Sequence, residues 1–416
     1  MKYSRYPSYK DSGAEWLGEI PSDWIVARNK QAFSFEKDLV GKRSKDYTLL
    51  SLTLKGIKIR DIDSGKGKFP AEFDTYQKVE KNDIVFCLFD IDETPRTVGI
   101  SGDKGMITGA YNVARCNTKA VPEYIYYYYL SIDEYKGLKP YYTGLRKVVR
   151  TETFMNIPLA LPSYEEQQTI ANYLDKATDK IDTLIEKQTR LIELLKEKRQ
   201  AVISTAVTRG LDGSVAMKDS GVEWLGEIPE GWEVKKLKYS ARIQGGKDQK
   251  AVLDDNGEYP VYGSGGIFGY ANKYLYNDES VLLGRKGTVD KPLYVQGAFW
   301  TVDTMYYTIL ENITVPKWFY YSATTIKFDY YQYGAAVPSM TQEDLHNIYF
   351  STPLEEEQQA IADYLDKKTN AIDNLISKST KAIDLLKEKR TALISAVVTG
   401  KIKVNDEVRE DALGVM

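Results

Sequence analysis

Two stretches of the chain repeat apolar residues at intervals of three and four, the spacing that lines one face of an α-helix. The first begins near Glu165 and the second near Glu356, and neither contains Gly or Pro before Gly210 and Gly400. Helices of about 40 residues would be rods of roughly 60 Å. An apolar stripe needs a partner, and the simplest one is the other helix. The predicted spacer positions are Ile170, Leu174, Ile181, Leu184, Leu191, Leu195, Ile361, Leu365, Ile372, Leu375, Leu386 and Leu393.

Shorter patterns outside these rods predict strands and helices. Lys81–Leu88 and Ser280–Leu283 have the character of buried strands that follow polar turns. Val121–Tyr127 and Val315–Tyr321 each predict a helix with Pro in its first turn. The run Tyr126–Tyr129 fits a base-stacking platform or core packing, and we favour packing because consecutive residues point all round a helix axis. Each half therefore predicts an α+β globular domain followed by a rod.

The two halves of the chain share a sequence frame. Three segments of the first half return in the same order in the second: Asp11–Pro21 as Asp219–Pro229, Glu165–Gln168 as Glu356–Gln359, and Leu194–Arg199 as Leu385–Arg390. Between these segments the halves have little in common. One scaffold that holds divergent inserts indicates two different recognition surfaces rather than one catalytic pocket.

The length and composition suit a folded protein of two or more domains. The chain has 416 residues, of which 43% are hydrophobic and 28% charged. No apolar run reaches the roughly 18 to 20 residues of a membrane span, and the start lacks the apolar region of a secretory signal. Cys87 and Cys116 are far apart and have no metal-type spacing. We therefore expect a reduced, cytoplasmic protein with no membrane partner.

Basic residues are clustered although the net charge is −3. Residues 41–69 hold eight Lys or Arg against three Asp, residues 136–150 hold five with no acid, and residues 235–250 hold six against one. Local basic patches on a nearly neutral body fit a protein that touches phosphates at chosen places. Solvated basic loops are the alternative for any single patch.

The sequence lacks the usual signals of catalysis. His346 is the only histidine, which nearly excludes His-based catalysis and His-rich metal sites. The sequence contains no G-x-x-x-x-G-K-[ST] motif, which is the motif that would predict an ATP-binding loop. Gly263–Gly269 departs from the dinucleotide-binding pattern at Phe268, so we expect a tight turn there. Gly284–Gly287 is a turn with two cations that suits phosphates, base edges or solvent, and the acidic loop 254–258 is typical of a turn.

The repeated motifs carry a family resemblance. Trp-Leu-Gly-Glu-Ile-Pro occurs twice, Glu-Gln-Gln-x-Ile-Ala-x-Tyr-Leu-Asp starts both predicted helices, and Leu-Leu-Lys-Glu-Lys-Arg occurs near both helix ends. Over nearly its whole length the chain resembles the DNA-specificity subunit of Type I restriction-modification enzymes. Tyr259–Gly266, Leu283–Gly287 and Pro95–Gly99 also resemble segments of target-recognition domains in that family.

The resemblance implies two target-recognition domains, each of which reads one half of an interrupted DNA sequence. It implies an α+β fold in which two long helices pair antiparallel as an intramolecular spacer with pseudo-two-fold symmetry. The expected segments are a first recognition domain at 1–162, a spacer helix at 163–210, a second recognition domain at 211–353, a second spacer helix at 354–400 and a tail at 401–416.

The resemblance also implies partners. Two methyltransferase subunits would supply S-adenosylmethionine binding and adenine methylation, and restriction-translocase subunits would supply ATP hydrolysis and Mg-dependent cleavage. This chain would then be non-catalytic and carry no cofactor of its own.

Loops rich in cations and tyrosines are the expected contacts with double-stranded DNA. Arg is the commonest reader of guanine edges, whereas Lys more often sets affinity through phosphates. For each residue the alternative is a surface charge that contacts nothing. The candidates are Lys58, Arg60, Arg96, Arg146 and Lys147 in the first domain and Tyr262, Ser264, Arg285 and Lys286 in the second.

Two other functions stay open on sequence alone. A non-catalytic coiled-coil scaffold could tether two protein-binding modules, although basic patches confined to the globular parts favour DNA. A self-contained DNA methyltransferase or nuclease would need motifs that the chain lacks.

Overall fold

The molecule contains two units, and each unit takes part of both long helices. The computed structural model describes residues 4–14, 16–61, 72–328 and 339–404. The first unit comprises residues 1–188 and 381–416, and the second comprises residues 189–380. Both mix sheet and helix, which confirms the α+β prediction. Most of the predicted tail, and Lys66 and Lys68 of the first basic patch, lie outside the described residues.

The helices predicted from periodicity and from proline positions are present. In chain order the helices are α1 Pro122–Glu134, α2 Thr151–Met155, α3 Tyr164–Arg209, α4 Pro316–Ala323, α5 Gln342–His346 and α6 Glu355–Val398. Both α1 and α4 begin at a proline, whose fixed φ suits a first turn. The long helices α3 and α6 have 46 and 44 residues and contain no Gly or Pro. No helix in the described ranges combines the length and apolar character that a membrane span needs.

The first unit is built on a four-stranded antiparallel sheet. Its strands are β1 Tyr9–Asp11, β2 Glu19–Pro21, β3 Ile25–Arg28, β4 Phe33–Glu36, β5 Leu50–Thr53, β6 Gly56–Ile59, β7 Gln77–Val79, β8 Ile84–Phe86, β9 Val98–Ile100, β10 Gly105–Ile107, β11 Asn112–Cys116 and β12 Pro158–Leu161. The central sheet has the order β4-β11-β8-β9, and Val113 pairs with Val85 in it. The pairs β5-β6 and β7-β10 form separate ribbons.

The second unit repeats that sheet, and its inserted strands follow the same order with a different sequence and more complete pairing. Its strands are β13 Met217–Asp219, β14 Glu227–Pro229, β15 Glu233–Lys236, β16 Ala241–Gly245, β17 Tyr259–Gly263, β18 Gly266–Ala271, β19 Tyr276–Asn277, β20 Ser280–Gly284, β21 Leu293–Val295, β22 Ala298–Thr301, β23 Met305–Leu310 and β24 Tyr349–Thr352. The sheet β16-β23-β20-β21 matches the order of the first unit. A second sheet, β18-β17-β22-β19, corresponds strand by strand to the two ribbons of the first unit, where a parallel bridge between Leu49 and Met106 stands at the place of the parallel β17-β22 pairing.

A buried glutamine joins the globular part of each unit to the start of a long helix. In the first unit the backbone N–H of Val121 donates to Gln167 Oε1 at 2.9 Å. Gln167 Nε2 donates to the carbonyls of Lys119 and Pro162 at 3.0 Å. In the second unit Gln358 bonds in the same way with the N–H of Val315 and the carbonyl of Pro353. These cap glutamines explain why Glu-Gln-Gln recurs in the sequence.

The tyrosines of α1 pack inside the first unit. Tyr127, Tyr128 and Tyr129 are at most 4% exposed, which confirms the packing interpretation of the tyrosine run. The Tyr127 hydroxyl donates to Asp175 at 2.8 Å on α3. Tyr321 makes the matching bond to Asp366 in the second unit, also at 2.8 Å. Burial raises the pKa of these phenols above the ordinary range, so they stay protonated at neutral pH.

Within each unit the two long helices run antiparallel. In the first unit Tyr124 of α1 bonds the carbonyl of Val398 at the end of α6, and Tyr127 of α1 bonds Asp175 in the first part of α3. Farther along α3, and farther back along α6, Asp182 pairs with Arg390 at 2.9 Å. In the second unit Arg199 pairs with Asp373 at 3.0 Å. The same two repeat positions therefore provide both ion pairs.

The buried stripe differs from the predicted one at three positions. Leu184, Leu191 and Leu375 are 46, 43 and 50% exposed, so the prediction that they lie in the stripe is wrong. Each is followed directly by an isoleucine that is less exposed (Ile185, Ile192 and Ile376). Counted from the preceding position of the stripe, the leucine lies three residues on and the isoleucine four. Both intervals are helical spacings, so the sequence pattern fits either residue of the pair. The remaining nine predicted positions are buried or half-buried.

Both cysteines lie in the first unit, where Cys87 is buried and Cys116 is half-buried. Burial raises the pKa of Cys116 to about 12 and also raises the pKa of Cys87, because an apolar environment disfavours the thiolate. We expect iodoacetamide at pH 8 to leave both thiols of the native protein unmodified and to label both in denaturant, where a thiol pKa is about 8.5.

The raised pKa of Cys116 also makes the stability of the folded protein depend on pH. Because the folded pKa lies above the unfolded one, the contribution of Cys116 is complete below about pH 8.5 and is lost as the pH rises toward 12. Rapid alkylation of the native protein at pH 8, read by mass spectrometry, would contradict the shielding.

Candidate nucleic-acid interface

The loop between β8 and β9 of the first unit is anchored by a buried carboxylate. The side chain of Asp133, at the end of α1, is 2% exposed. It accepts hydrogen bonds from the backbone N–H of Thr97 at 3.0 Å and from its hydroxyl at 2.8 Å. Lys136 Nζ pairs with the same carboxylate at 3.0 Å. The base of the loop is therefore fixed to α1.

Arg96 belongs to this anchor. Its side chain is 16% exposed and lies 3.6 Å from Asp133 and 3.4 Å from Glu134. The predicted contact of Arg96 with DNA stays a prediction, and the geometry gives this residue a supporting role in the loop. Sequence reasoning did not single out Asp133, because nothing in a helical segment marks one acid as the buried one.

A hairpin formed by residues 143–148 projects beside that loop. Thr143 and Val148 exchange backbone hydrogen bonds at 3.0 and 3.2 Å, and the N–H of Lys147 donates to the carbonyl of Gly144 at 3.0 Å. Arg146, predicted as a DNA contact, is 75% exposed. Leu145 at the tip is 102% exposed. The hairpin thus presents an arginine and a leucine to solvent.

Acids from the β8–β9 loop lie against the hairpin cations. Arg146 is 3.5 Å from Asp90, and Lys147 is 3.3 Å from Asp92 and 3.2 Å from Glu93. Segment 136–150 has no acid of its own, so the sequence suggested a purely basic patch. Its neutralising acids come from a loop some 50 residues earlier, and only the fold brings them together. Lys147 is consequently less available to phosphate than Arg146.

These contacts shift the titration of both partners. Hydrogen bonds to Glu93 and Asp92 raise the pKa of Lys147. Partial burial acts to raise the pKa of Asp92, but bonds from Lys147 and Tyr142 outweigh it and leave that pKa below its ordinary value. The contribution of Asp92 to stability is therefore present above about pH 4 and is lost as the pH falls below that.

Lys58 and Arg60 lie on a different part of the first unit. Lys58 is exposed on β6 and pairs in register with Ser51 of β5. Arg60 is half-buried at the end of the same ribbon, where its N–H donates to the carbonyl of Leu49 at 2.9 Å. Lys58 and Arg60 thus lie on a different surface element from the hairpin residues Arg146 and Lys147.

In the second unit two predicted motifs come close together. The glycine-rich segment is the tight turn between β17 and β18, in which Gly263 pairs with Gly266. Gly266 has a φ of 104°, a conformation that side chains disfavour. A Cβ built on Gly287 would lie 3.9 Å from the hydroxyl of Ser264 in this turn. Tyr262 on β17 is half-buried, and burial raises its pKa.

An open cleft of about 880 Å³ receives the cationic turn after β20. Arg285 and Lys286 are both exposed and line this cleft. The Arg285 guanidinium donates to the carbonyl of Asp303 at 3.1 Å, which orients it without neutralising its charge. Lys238 and the single histidine, His346, line the same cleft, and sequence analysis assigned neither to it. The lining thus holds three cations and one acid, Glu343, in a cleft open to solvent.

The acidic loop 254–258 is a turn, as the sequence suggested. Asp254 accepts from the N–H of Asn256 at 2.9 Å, and its carbonyl accepts from Gly257. In the described part of the chain no three His, Cys, Asp or Glu side chains are grouped to hold a metal ion.

Comparison with known families and proteins is consistent with this arrangement. A model described as the Type I restriction modification DNA specificity domain matches the chain twice, at residues 46–194 and 229–384. The chain is 26% identical over 379 residues to the putative type I restriction enzyme MjaX specificity subunit of Methanocaldococcus jannaschii, covering 83% of this chain and 87% of that one. It is 27% identical over 242 residues to the MjaVIII specificity subunit of the same organism, covering 55% and 51%.

Two solved structures have a similar fold. One is a chain from work described as the structural basis of complex assembly and conformational transition of the type I R-M system, with a TM-score of 0.72 and 14% identity over 91% of this chain and 98% of that one. The other is the HsdS subunit from Thermoanaerobacter tengcongensis, with a TM-score of 0.55 and 14% identity over 94% and 100%. At this identity the likeness concerns the fold.

Proposed function

The chain belongs to the Type I restriction-modification DNA specificity family, and from this premise we propose that it selects the DNA sequence on which a multisubunit enzyme acts. Each unit would read one half of an interrupted target in double-stranded DNA. The observation that carries this proposal is a repeated strand order on which the two units carry loops of unlike sequence. The shared frame attaches the globular part of each unit to the long helices in the same way. The inserts, whose sequences differ, give the two units dissimilar surfaces.

The proposed division of labour leaves chemistry to other subunits. We infer association with methyltransferase subunits, two per chain, and with restriction-translocase subunits. S-adenosylmethionine, ATP and Mg²⁺ would then be bound by those partners. Support comes from the relatives, which are specificity subunits, and from the cleft of the second unit, which is open rather than enclosed and carries Arg285 and Lys286.

The test of this function is a methylome. A host that lacks other methyltransferases would express the chain with its methyltransferase partners, and single-molecule sequencing would map the methylated adenines. We expect one bipartite motif with an unread spacer. The salt dependence of duplex binding by the purified complex separates DNA recognition from a protein-scaffold role, because each phosphate contact adds about 0.9 to the slope of log K against log salt. Methylation without sequence preference would refute the proposal.

Arg285 is the best-placed candidate for reading a base in the second unit. Loss of one bidentate contact with a guanine is expected to weaken discrimination by about 1–3 kcal/mol at one base pair. Arg285→Ala should therefore make the complex methylate sites that are degenerate at one position of one half-site. Methylome sequencing of the variant measures this directly.

Lys218→Ala is the matched control for the Arg285 variant. Lys218 is an exposed cation of the same unit, but it lies on β13 in the repeated frame, where it donates to the carbonyl of Glu230. Its loss should leave the motif unchanged. If Arg285→Ala alters both half-sites equally, or neither, Arg285 does not read a base.

A further inference from the structure

We propose that Leu145 is a wedge that enters a DNA groove and unstacks one base step in the half-site read by the first unit. The proposal rests on the DNA-reading function above and adds a distortion of the DNA to it. Leu145 is the tip residue of the 143–148 hairpin and is 102% exposed. Most of the first unit's large apolar side chains are buried in its core.

The tip is held rigidly rather than exposed on a loose loop. The N–H of Asp90 donates to the carbonyl of Arg146 at 2.8 Å, and the N–H of Val149 donates to the carbonyl of Leu88 at 2.9 Å. These two bonds hold the chain that follows the tip, and before the tip the Tyr142 hydroxyl donates to Asp92 of the same loop at 3.2 Å. That loop is itself anchored to α1 through Asp133. Leu145 projects from a support that reaches into the folded unit.

An aromatic stack completes this support. The Arg146 guanidinium lies over the ring of Phe89, 5.5 Å from its centroid. Phe89 in turn stacks on Tyr111, with centroids 6.0 Å apart and planes 19° apart. The side chain of Arg146, the residue after Leu145, is thereby held against the β8–β9 loop.

Backbone strain at the support is a second sign of a special role. Asp90 and Lys147, one on each side of the joint, have φ values of 47° and 46°. Residues other than Gly seldom adopt this conformation, and when the surrounding structure maintains it the position is often functional. Two such residues hold the hairpin against the loop.

The chemistry of the tip fits DNA that has been opened between base pairs. A leucine gains by burial only against apolar surface, and a duplex hides its apolar faces between stacked bases. Apolar side chains that partly unstack a step and kink the duplex are a known way of binding DNA. Arg146 at 75% exposure and the exposed Arg150 would flank the wedge and attract the phosphates on either side.

A wedge reads deformability instead of hydrogen-bonding groups. Pyrimidine–purine steps such as TA and CA/TG unstack most easily. We therefore expect such a step at the position that Leu145 enters. Its identity would be specified although no polar side chain contacts it.

The experiment uses the complex with methyltransferase subunits and a duplex that carries the motif found by methylome sequencing. 2-Aminopurine, whose fluorescence rises when it unstacks, is placed at successive positions of both half-sites. The wild-type complex is expected to raise the signal several-fold at one step of one half-site. Leu145→Ala should return that signal to the free-duplex level and weaken binding about tenfold, since unstacking is then no longer compensated. The salt slope should not change, because no phosphate contact is lost.

Leu54→Ala is the matched control, because Leu54 is a 65% exposed leucine in the turn between β5 and β6 of the same unit. It should bind and fluoresce like wild type. The wedge is overturned if no position responds in the wild-type complex, or if Leu145→Ala keeps the signal. A last comparison replaces a thymine of the half-site by uracil, which lacks the methyl group. If the wild-type complex then loses as much affinity as Leu145→Ala does on the unmodified duplex, Leu145 contacts a thymine methyl group in a stacked duplex and the wedge is overturned.

The remaining outcomes separate the wedge from the proposed function. Weaker assembly of Leu145→Ala with the methyltransferase, with the fluorescence unchanged, would make the tip a subunit contact and overturn the wedge alone. Equal affinity of the wild-type complex for motif and unrelated duplexes would overturn the DNA-reading function, and the wedge with it.

Discussion

Leu174→Asp is expected to lower the melting temperature of the chain by roughly 6–20 °C, whereas Leu184→Asp on the same helix should change it little. Leu174 is 0% exposed in the core that α3 shares with α6 in the first unit, and Leu184 is 46% exposed. An unpaired carboxylate at the first site would cost about 3–5 kcal/mol, and a unit of this size loses about 2–4 °C per kcal/mol.

The repeat supplies an independent copy of this comparison. Leu365 is 0% exposed and Leu375 is 50% exposed in the second unit. Leu365→Asp should be as damaging as Leu174→Asp, and Leu375→Asp as mild as Leu184→Asp. Thermal unfolding followed by circular dichroism measures all four variants. Equal losses at the buried and exposed positions would mean that the buried stripe is wrongly assigned.

Gln167→Leu is expected to destabilise the first unit by roughly 2–6 kcal/mol. The cap glutamine satisfies one buried N–H and two carbonyls, and leucine of similar volume would leave all three without their partner. Each orphaned buried group costs about 1–3 kcal/mol, and part of the loss is recovered by relaxation. Denaturant unfolding of the chain gives the difference.

The adjacent residue is the control for this substitution. Gln168 bonds only the exposed Asn172 among the contacts the structure shows for its amide, so Gln168→Leu should change stability by less than about 1 kcal/mol. Gln358→Leu and Gln359→Leu provide the same pair in the second unit. If both members of a pair behave alike, the buried glutamine that occurs in both units is not what fixes the globular part to the helix.

Much of the fold could be predicted because it depends on local signals. Long intervals without Gly or Pro set the extent of α3 and α6, and prolines set the starts of α1 and α4. The choice within each Leu-Ile pair could not be predicted, because a drift of one position over several helical turns falls within the tolerance of the three-four spacing. Packing against the second helix decides it.

The candidate site was less predictable because its electrostatics are non-local. A basic segment such as 136–150 looks unopposed until the fold brings Asp90, Asp92 and Glu93 beside it. In the second unit the motifs around Ser264 and Arg285 were both identified, but their closeness was not. The inserts carry the expected specificity, and inserts have no shared pattern from which their contacts can be deduced.

The division of the chain has a consequence for its synthesis. The second unit is one continuous segment, residues 189–380, whereas the first unit needs residues 381–416 as well as 1–188. On the ribosome the half that is made first must therefore be completed last. At 5–20 residues per second the intervening segment takes roughly 10–40 s to translate. Throughout that time the apolar face around Ile170 and Leu174 lacks its contacts with Leu393 and Val397, and transiently exposed apolar surface of this kind promotes aggregation.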